Sequence, residues 1–197
     1  MKIQRSLAVL GRKVVFAAAY LGFAQVLSLA QPSNAANPPG QVASASAQNP
    51  SFAMLEAKAL ASVGNVVGAE QRLILLNGAA PNTPGWYLET SQRLIHLGGN
   101  LRRESPNRVA AVMNQALRRL SEADSAAGSA GDRRAQANAK ALTAFIHERY
   151  RGDRASALAS YRAALQLDPN DRSSQEAVER LQLSEAILRA RTKKVNR

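Results

Sequence analysis

The densest run of side chains that could do chemistry is His147-Glu148-Arg149-Tyr150-Arg151, which opens like the helix of a zinc protease. Such a helix holds its metal with two His on one face, and Arg151 stands where the second must be. The other imidazole, His96, lies far away in sequence, and no Cys is available as a thiolate. Ser, His and Asp all occur, but no Gly-x-Ser-x-Gly elbow presents a nucleophile. Gly98-Gly99 reads as a turn rather than a phosphate-binding loop, because no strand pattern precedes it and no Gly-Lys-Ser/Thr follows. Glu176 and Glu179, beside Arg172 and Arg180, read as a solvated helix face rather than an acid/base pair. No metal and no cofactor is expected, and the chain reads as a binding protein rather than an enzyme.

What remains is positive charge. The 197 residues carry 26 Lys plus Arg against 14 Asp plus Glu, a formal net charge of +12. Arg102, Arg103 and Arg108 form one cluster, and Arg118, Arg119, Arg133 and Arg134 flank a small-residue stretch. Arg189, Arg191, Lys193, Lys194 and Arg197 form a C-terminal tail. Arg102, Arg103 and the five tail residues are the candidates for anion contact. Aromatic side chains are not interleaved with them, so nucleic acid is not the expected partner. An acidic protein, an anionic polysaccharide or lipid headgroups fit better.

The first residues use their charge differently. Lys2, Arg5, Arg12 and Lys13 precede an apolar run, Val14–Ala30, and then Gln31-Pro32-Ser33-Asn34-Ala35-Ala36. A basic start, an apolar centre and a small-x-small exit resemble a secretory signal, with cleavage after Ala35 and Ala30 as the rival site. The alternative is an inner-membrane anchor over residues 14–30, at the lower edge of the roughly 17–25 residues that span a bilayer. Either reading exports the body, to the periplasm or beyond. Removing the four leader charges from 26 leaves 22 basic against 14 acidic residues, about +8. Residues 36–49, built from Pro, Gly, Ser, Ala, Asn and Gln with no charge, read as a flexible linker.

The elements that must position the remaining candidates are helices. Aromatics are 5% of the chain and Ala is abundant, which favours thin helix–helix packing, and no segment alternates long enough for a strand. Asn49-Pro50, Thr83-Pro84 and Ser105-Pro106 each put a capping residue before a proline, which costs nothing at the first helical position. Helices are predicted at about 50–63, 66–77, 85–97, 106–121, 133–151, 154–167 and 173–191. In the fourth, Val109, Val112, Met113, Ala116, Leu117 and Leu120 make one apolar stripe. Ser173-x-x-Glu176 reads as a capping box for the last. Residues 122–137 are expected to be a loop and hinge.

The stretch from Gly152 to Asn170 resembles the second helix of a tetratricopeptide repeat. Ala157, Tyr161, Ala164 and Pro169 stand at 0, +4, +7 and +12, after Gly152 in the turn. Ala69, Leu73, Leu76 and Pro81 repeat those offsets behind Gly64, and Val109, Met113, Ala116 and Ser121 repeat them more weakly. The resemblance implies an all-α solenoid of short helical hairpins, 50–83, 84–121 and 138–171, closed by a capping helix and basic tail over 172–197. It also implies a scaffold or adaptor whose first helices line a groove for a peptide or a segment of another envelope protein. That partner could belong to a secretion, pilus or polysaccharide-export assembly. By that carry-over the groove presents Met54, Lys58, Gln92, His96, Ile146, Arg149 and Tyr150. Leu142 and Ile146 stand where some chaperone-binding members grip a terminal carboxylate, so a mixed apolar–cationic groove is expected instead.

Overall fold

The computed structural model describes residues 49–195, without the side chains of 189 and 192–195. The signal or anchor, most of the linker, and the tail candidates Arg189, Lys193, Lys194 and Arg197 lie outside the described side chains. Among the described residues the chain is all-helical, with seven α-helices and no strand. They are α1 (Pro50–Ser62), α2 (Val66–Ile74), α3 (Pro84–Leu101), α4 (Pro106–Ala130), α5 (Arg133–Ile146), α6 (Arg154–Leu167) and α7 (Arg172–Val195). A π-helical turn, His147–Arg151, carries α5 onward. No described helix is long and apolar enough to cross a membrane.

Helix starts follow the side chains that accept from the first free N–H groups. Asn49 accepts from the Ser51 N–H at 3.0 Å and Thr83 from the Trp86 N–H at 3.3 Å, as the Asx/Thr-Pro pairs predict. Ser105 makes no such bond ahead of Pro106. Two turns share one design. Gly131 (φ +69°) and Gly152 (φ +65°) take the left-handed conformation that ends one helix. The next residue, Asp132 or Asp153, then caps the following helix through Ala135 N–H (2.9 Å) or Ser156 N–H (3.0 Å). A two-residue connection of this kind forces neighbouring helices into a hairpin.

Three of the expected boundaries move. Of residues 122–137 only Gly131 and Asp132 form a connection: α4 runs on to Ala130, because Ala123 and Ala127 extend its apolar stripe and are fully buried, and α5 begins at Arg133. Asp124 holds that extra length to α5 by an ion pair with Lys140. Gly98 does not open a turn, since α3 continues to Leu101. At the last helix the cap is Asp171 rather than a Ser173–Glu176 box. Asp171 accepts from the Ser173 N–H at 3.1 Å and from the Ser173 and Ser174 hydroxyls at 2.6 and 2.5 Å, while Glu176 pairs with Arg172 at 2.9 Å. Burial disfavours the Asp171 charge, yet these bonds outweigh it and hold the carboxyl below its ordinary value. Helix α2 stops at Ile74 because Asn77 and the Leu76 carbonyl are taken by α3: Asn77 donates to Thr90 Oγ1 at 2.7 Å, and Arg93 donates to Asn77 Oδ1 at 3.0 Å and to the Leu76 carbonyl.

Packing proceeds along the chain: α1 on α2, α2 on α3, α3 on α4, α4 on α5, α5 on α6 and α6 on α7. In addition α1 touches α3, and α3 touches α5. One core runs from Ala57, Ala61, Ala69 and Leu73 through Leu94, Leu97 and Leu101 to Met113, Ala116, Leu120 and Ile146. A second holds Ala144, Ala157, Leu158, Tyr161, Ala177 and Leu181 together. Ala69, Leu73, Ala157, Tyr161 and Ala164 are all buried, whereas Pro81 and Pro169 are exposed after their helices end. Each fully buried leucine contributes roughly 1.5–3 kcal/mol, so the small residues serve mainly to let these larger ones meet.

Candidate functional site

The π-helical turn decides where the charged run at 147–151 goes. Inserting one extra residue per turn spreads five consecutive side chains over two sides of the element. His147 and Glu148 turn toward α6 and α7. Arg180 grips the Glu148 carboxylate with its two terminal guanidinium nitrogens, Nη1 to Oε1 and Nη2 to Oε2 at 3.0 Å, and the Tyr161 hydroxyl donates to Oε2 at 3.4 Å. The Arg180 bond holds the Glu148 carboxyl below its ordinary value despite partial burial, and burial beside that carboxylate pushes the Tyr161 phenol up to about 12. His147 Nδ1 is buried without a hydrogen bond, 3.8 Å from Asp153 Oδ2. This cluster ties α5 to α6 and α7. Among the described residues no group of three or more His, Cys, Asp or Glu is placed to hold a metal ion.

These directions fix a pH response. The Glu148 contribution is fully present above its unfolded value and is lost as pH falls through the lower folded one. The Tyr161 contribution is fully present below its unfolded value of 10.0 and is lost as pH rises toward about 12. We expect Tyr161→Phe to flatten the alkaline limb of a stability-versus-pH curve from chemical denaturation and to change the acid limb far less, because Arg180 is the main cause of the Glu148 shift and the Tyr161 bond the smallest. An unchanged slope between pH 10.0 and about 12 would refute the assignment.

Arg149, Tyr150 and Arg151 meet the α3–α4 connection, although the Arg149 charge still acts on Glu148 and Tyr161. Together with Arg102, Pro106, Val109, Ala110, Met113 and Asn114 they line an open groove of about 260 Å³. Its floor is apolar: Met113 is 1% exposed, and Val109 and Tyr150 are half-buried against the first core. The Tyr150 hydroxyl donates to the Ile95 carbonyl at 3.4 Å and its ring meets Phe145 edge-on, centroids 6.1 Å apart. Arg151 donates to Asn114 Oδ1 at 2.7 Å, which sets one guanidinium on the wall. Arg102 and Arg149 are exposed and form no ion pair among the described residues.

The structure thus joins two groups of candidates that the sequence kept apart, Arg102 from the anion-contact set and Arg149 with Tyr150 from the groove set. Other members fall elsewhere. Ile146 is fully buried in the core and presents nothing to a partner, because α5 turns that position inward. Met54 is half-buried against the core, and Lys58 is held by Glu104 at 2.7 Å. Gln92 and His96 are exposed on α3 and do not line this groove; Arg103 and Arg191 are exposed as well. Arg119 belongs inside the fold, on the buried Glu70, and Arg118 donates to Gln115.

Sequence reasoning missed Val109, Met113, Asn114 and Arg151 as groove residues. It read Arg151 as a failed zinc ligand, and nothing in the local pattern announces a π-helical turn. It also missed Glu70, although a single acid beside the packing residue Ala69 is the kind of signal that marks a buried pair. No family model, no curated protein and no solved structure matches this chain.

Proposed function

We propose that this chain is an exported scaffold or adaptor, a tetratricopeptide-like array of three helical hairpins with a capping helix, that binds a segment of another cell-envelope protein. One observation carries the reading: an open groove with an apolar floor and cationic walls. Support for the array comes from the packing order, in which α1, α3 and α5 touch in succession while each also packs on the helix that follows it. The burial of Ala69, Leu73, Ala157 and Ala164 at the repeat offsets fits the same scheme. Export rests on the basic–apolar–small order of the first 36 residues.

The test places a photo-crosslinking amino acid at Ala110, an exposed groove position, and at Gln166, an exposed position on α6, in the cells that make the protein. Illumination should give a discrete protein adduct from position 110 and none from 166. Adducts from neither position, or equally from both, would end the scaffold reading. N-terminal sequencing of the same material tests export: a start at Ala36 or Gln31 fits a cleaved signal, and Met1 in the membrane fraction fits the anchor. A full-length soluble product in the cytosol contradicts both.

A further inference from the structure

We infer that the groove between α4 and the π-helical turn takes an acidic peptide segment, two of whose carboxylates engage Arg102 and Arg149 while an apolar side chain between them covers Val109 and Tyr150. The inference rests on the segment-binding reading above and names the chemistry of the segment. Its basis is where the neighbouring acids have gone. Arg102 stands two residues before Glu104 and Arg149 directly follows Glu148, so each cation has a carboxylate close by in sequence. In the fold both carboxylates are hydrogen-bonded to other helices, although the Glu148 charge still acts on Arg149 through space. Lys58 on α1 takes Glu104 at 2.7 Å, and Arg180 on α7 with Tyr161 on α6 takes Glu148. Arg102 and Arg149 are left facing one groove with no ion-pair partner among the described residues, and Arg151 adds a third guanidinium pinned by Asn114.

Three guanidinium groups around one shallow depression repel one another, and solvent screens that repulsion only in part. A ligand carrying carboxylates relieves it and gains charge-assisted, forked hydrogen bonds that a lysine site would not offer. Above the buried Met113, Val109 and Tyr150 are half-covered apolar surface, which a Leu or Phe of the ligand would remove from water. A polysaccharide sulfate or a phospholipid headgroup satisfies the cations but leaves that floor wet. The combination therefore favours a peptide over a polymer or a membrane.

The test uses the chain as its own host processes it, with fluorescence anisotropy of three labelled peptides: Asp-Glu-Leu-Phe-Glu-Asp, its amide counterpart Asn-Gln-Leu-Phe-Gln-Asn, and Asp-Glu-Gly-Ser-Glu-Asp. The first should bind, and the other two should bind about tenfold or more weakly. The exposed-site variants Arg102→Glu and Arg149→Glu should each weaken the first peptide about tenfold, with Arg149→Gln intermediate, while Arg162→Glu on the exposed side of α6 stays within about twofold. Equal binding of the acidic and amide peptides, or wild-type affinity in both groove variants, would overturn the inference. So would tighter binding of a sulfated polysaccharide or phosphatidylglycerol vesicles that Arg162→Glu weakens as much as Arg149→Glu. Amide-peptide binding insensitive to Arg102 and Arg149 would sink the acidic ligand and leave the scaffold standing. Silence of all three peptides together with a silent crosslinker at position 110 would sink both.

Discussion

Glu70→Ala is expected to lower the free energy of unfolding by about 3 kcal/mol, with a fall in melting temperature of roughly 6–12 °C. Glu70 is 2% exposed, on α2, and both its oxygens are used. Arg119 of α4 donates to them at 2.6 and 3.2 Å, and Gln115 Nε2, itself nearly buried, donates at 2.6 Å. The Glu70 bond, helped by Glu122 at 2.7 Å, outweighs burial and keeps the Arg119 guanidinium protonated more firmly than a free one. Its planar group also lies 5.7 Å from the Trp86 ring centroid, so one cation joins α2, α3 and α4.

Removing the carboxylate leaves the Gln115 amide without an acceptor and a partly buried guanidinium with one exposed partner. That unpaired state, rather than the worth of the pair itself, is the source of the loss. Arg119 is 23% exposed and keeps Glu122, which places the cost at the lower end of the range for broken buried pairs. Glu70→Gln, which keeps the shape, should cost less. A double-mutant cycle of Glu70→Ala with Arg119→Ala should show coupling of about 1–3 kcal/mol. Denaturation of Glu70→Ala within about 0.5 kcal/mol of wild type would show that α2 is not held this way.

Gly98→Leu should cost about 3 kcal/mol through overpacking, and Gly98→Ala far less. Gly98 is buried where α3 meets α4, and a Cβ built on it would lie 2.1 Å from Met113 Cε and 3.8 Å from Val112 Cγ1. The near atom is the end of a flexible thioether, so alanine displaces it cheaply and regains about 1 kcal/mol of helix propensity. Leucine adds three more carbons against α4, where Val112 and Met113 are both buried. The same displacement reaches the groove, because Met113 is its floor. Peptide binding should therefore weaken in Gly98→Leu even at temperatures where the variant is still folded. A variant as stable as wild type would mean that the helices can separate there without loss.

The helical class and most helix starts were legible locally. An Asx or Thr before Pro, Asp after Gly, and a 3.6-residue apolar stripe act over a few residues, so the chain segment alone determines them. Boundaries that tertiary contacts set were not legible. The stretch Ser121–Ala130 has loop-like composition, with small residues and Gly128, but α5 offers Ala123 and Ala127 a surface to bury against and the helix continues. Gly98 looks like a turn residue for the same reason: close helix approach and chain reversal both call for a missing Cβ, and only the neighbour tells them apart.

By itself, then, the sequence determined that this is an all-helical protein and where its cations lie along the chain. It also established that the side-chain sets for the metal, thiolate and nucleophile-elbow chemistries considered are missing. Tertiary structure decided which cations are spent and which are left over. Arg119 and Arg180 are consumed by Glu70 and Glu148 across helix interfaces, while Arg102 and Arg149 line the groove and make no ion pair among the described residues. Charge pairing depends on distance through the fold, and residues 32 to 49 apart in the chain, such as Arg180 with Glu148, Lys58 with Glu104 and Arg119 with Glu70, set that distance. Those long-range pairs engage Glu104 and Glu148, the acids nearest in sequence to the groove residues Arg102 and Arg149.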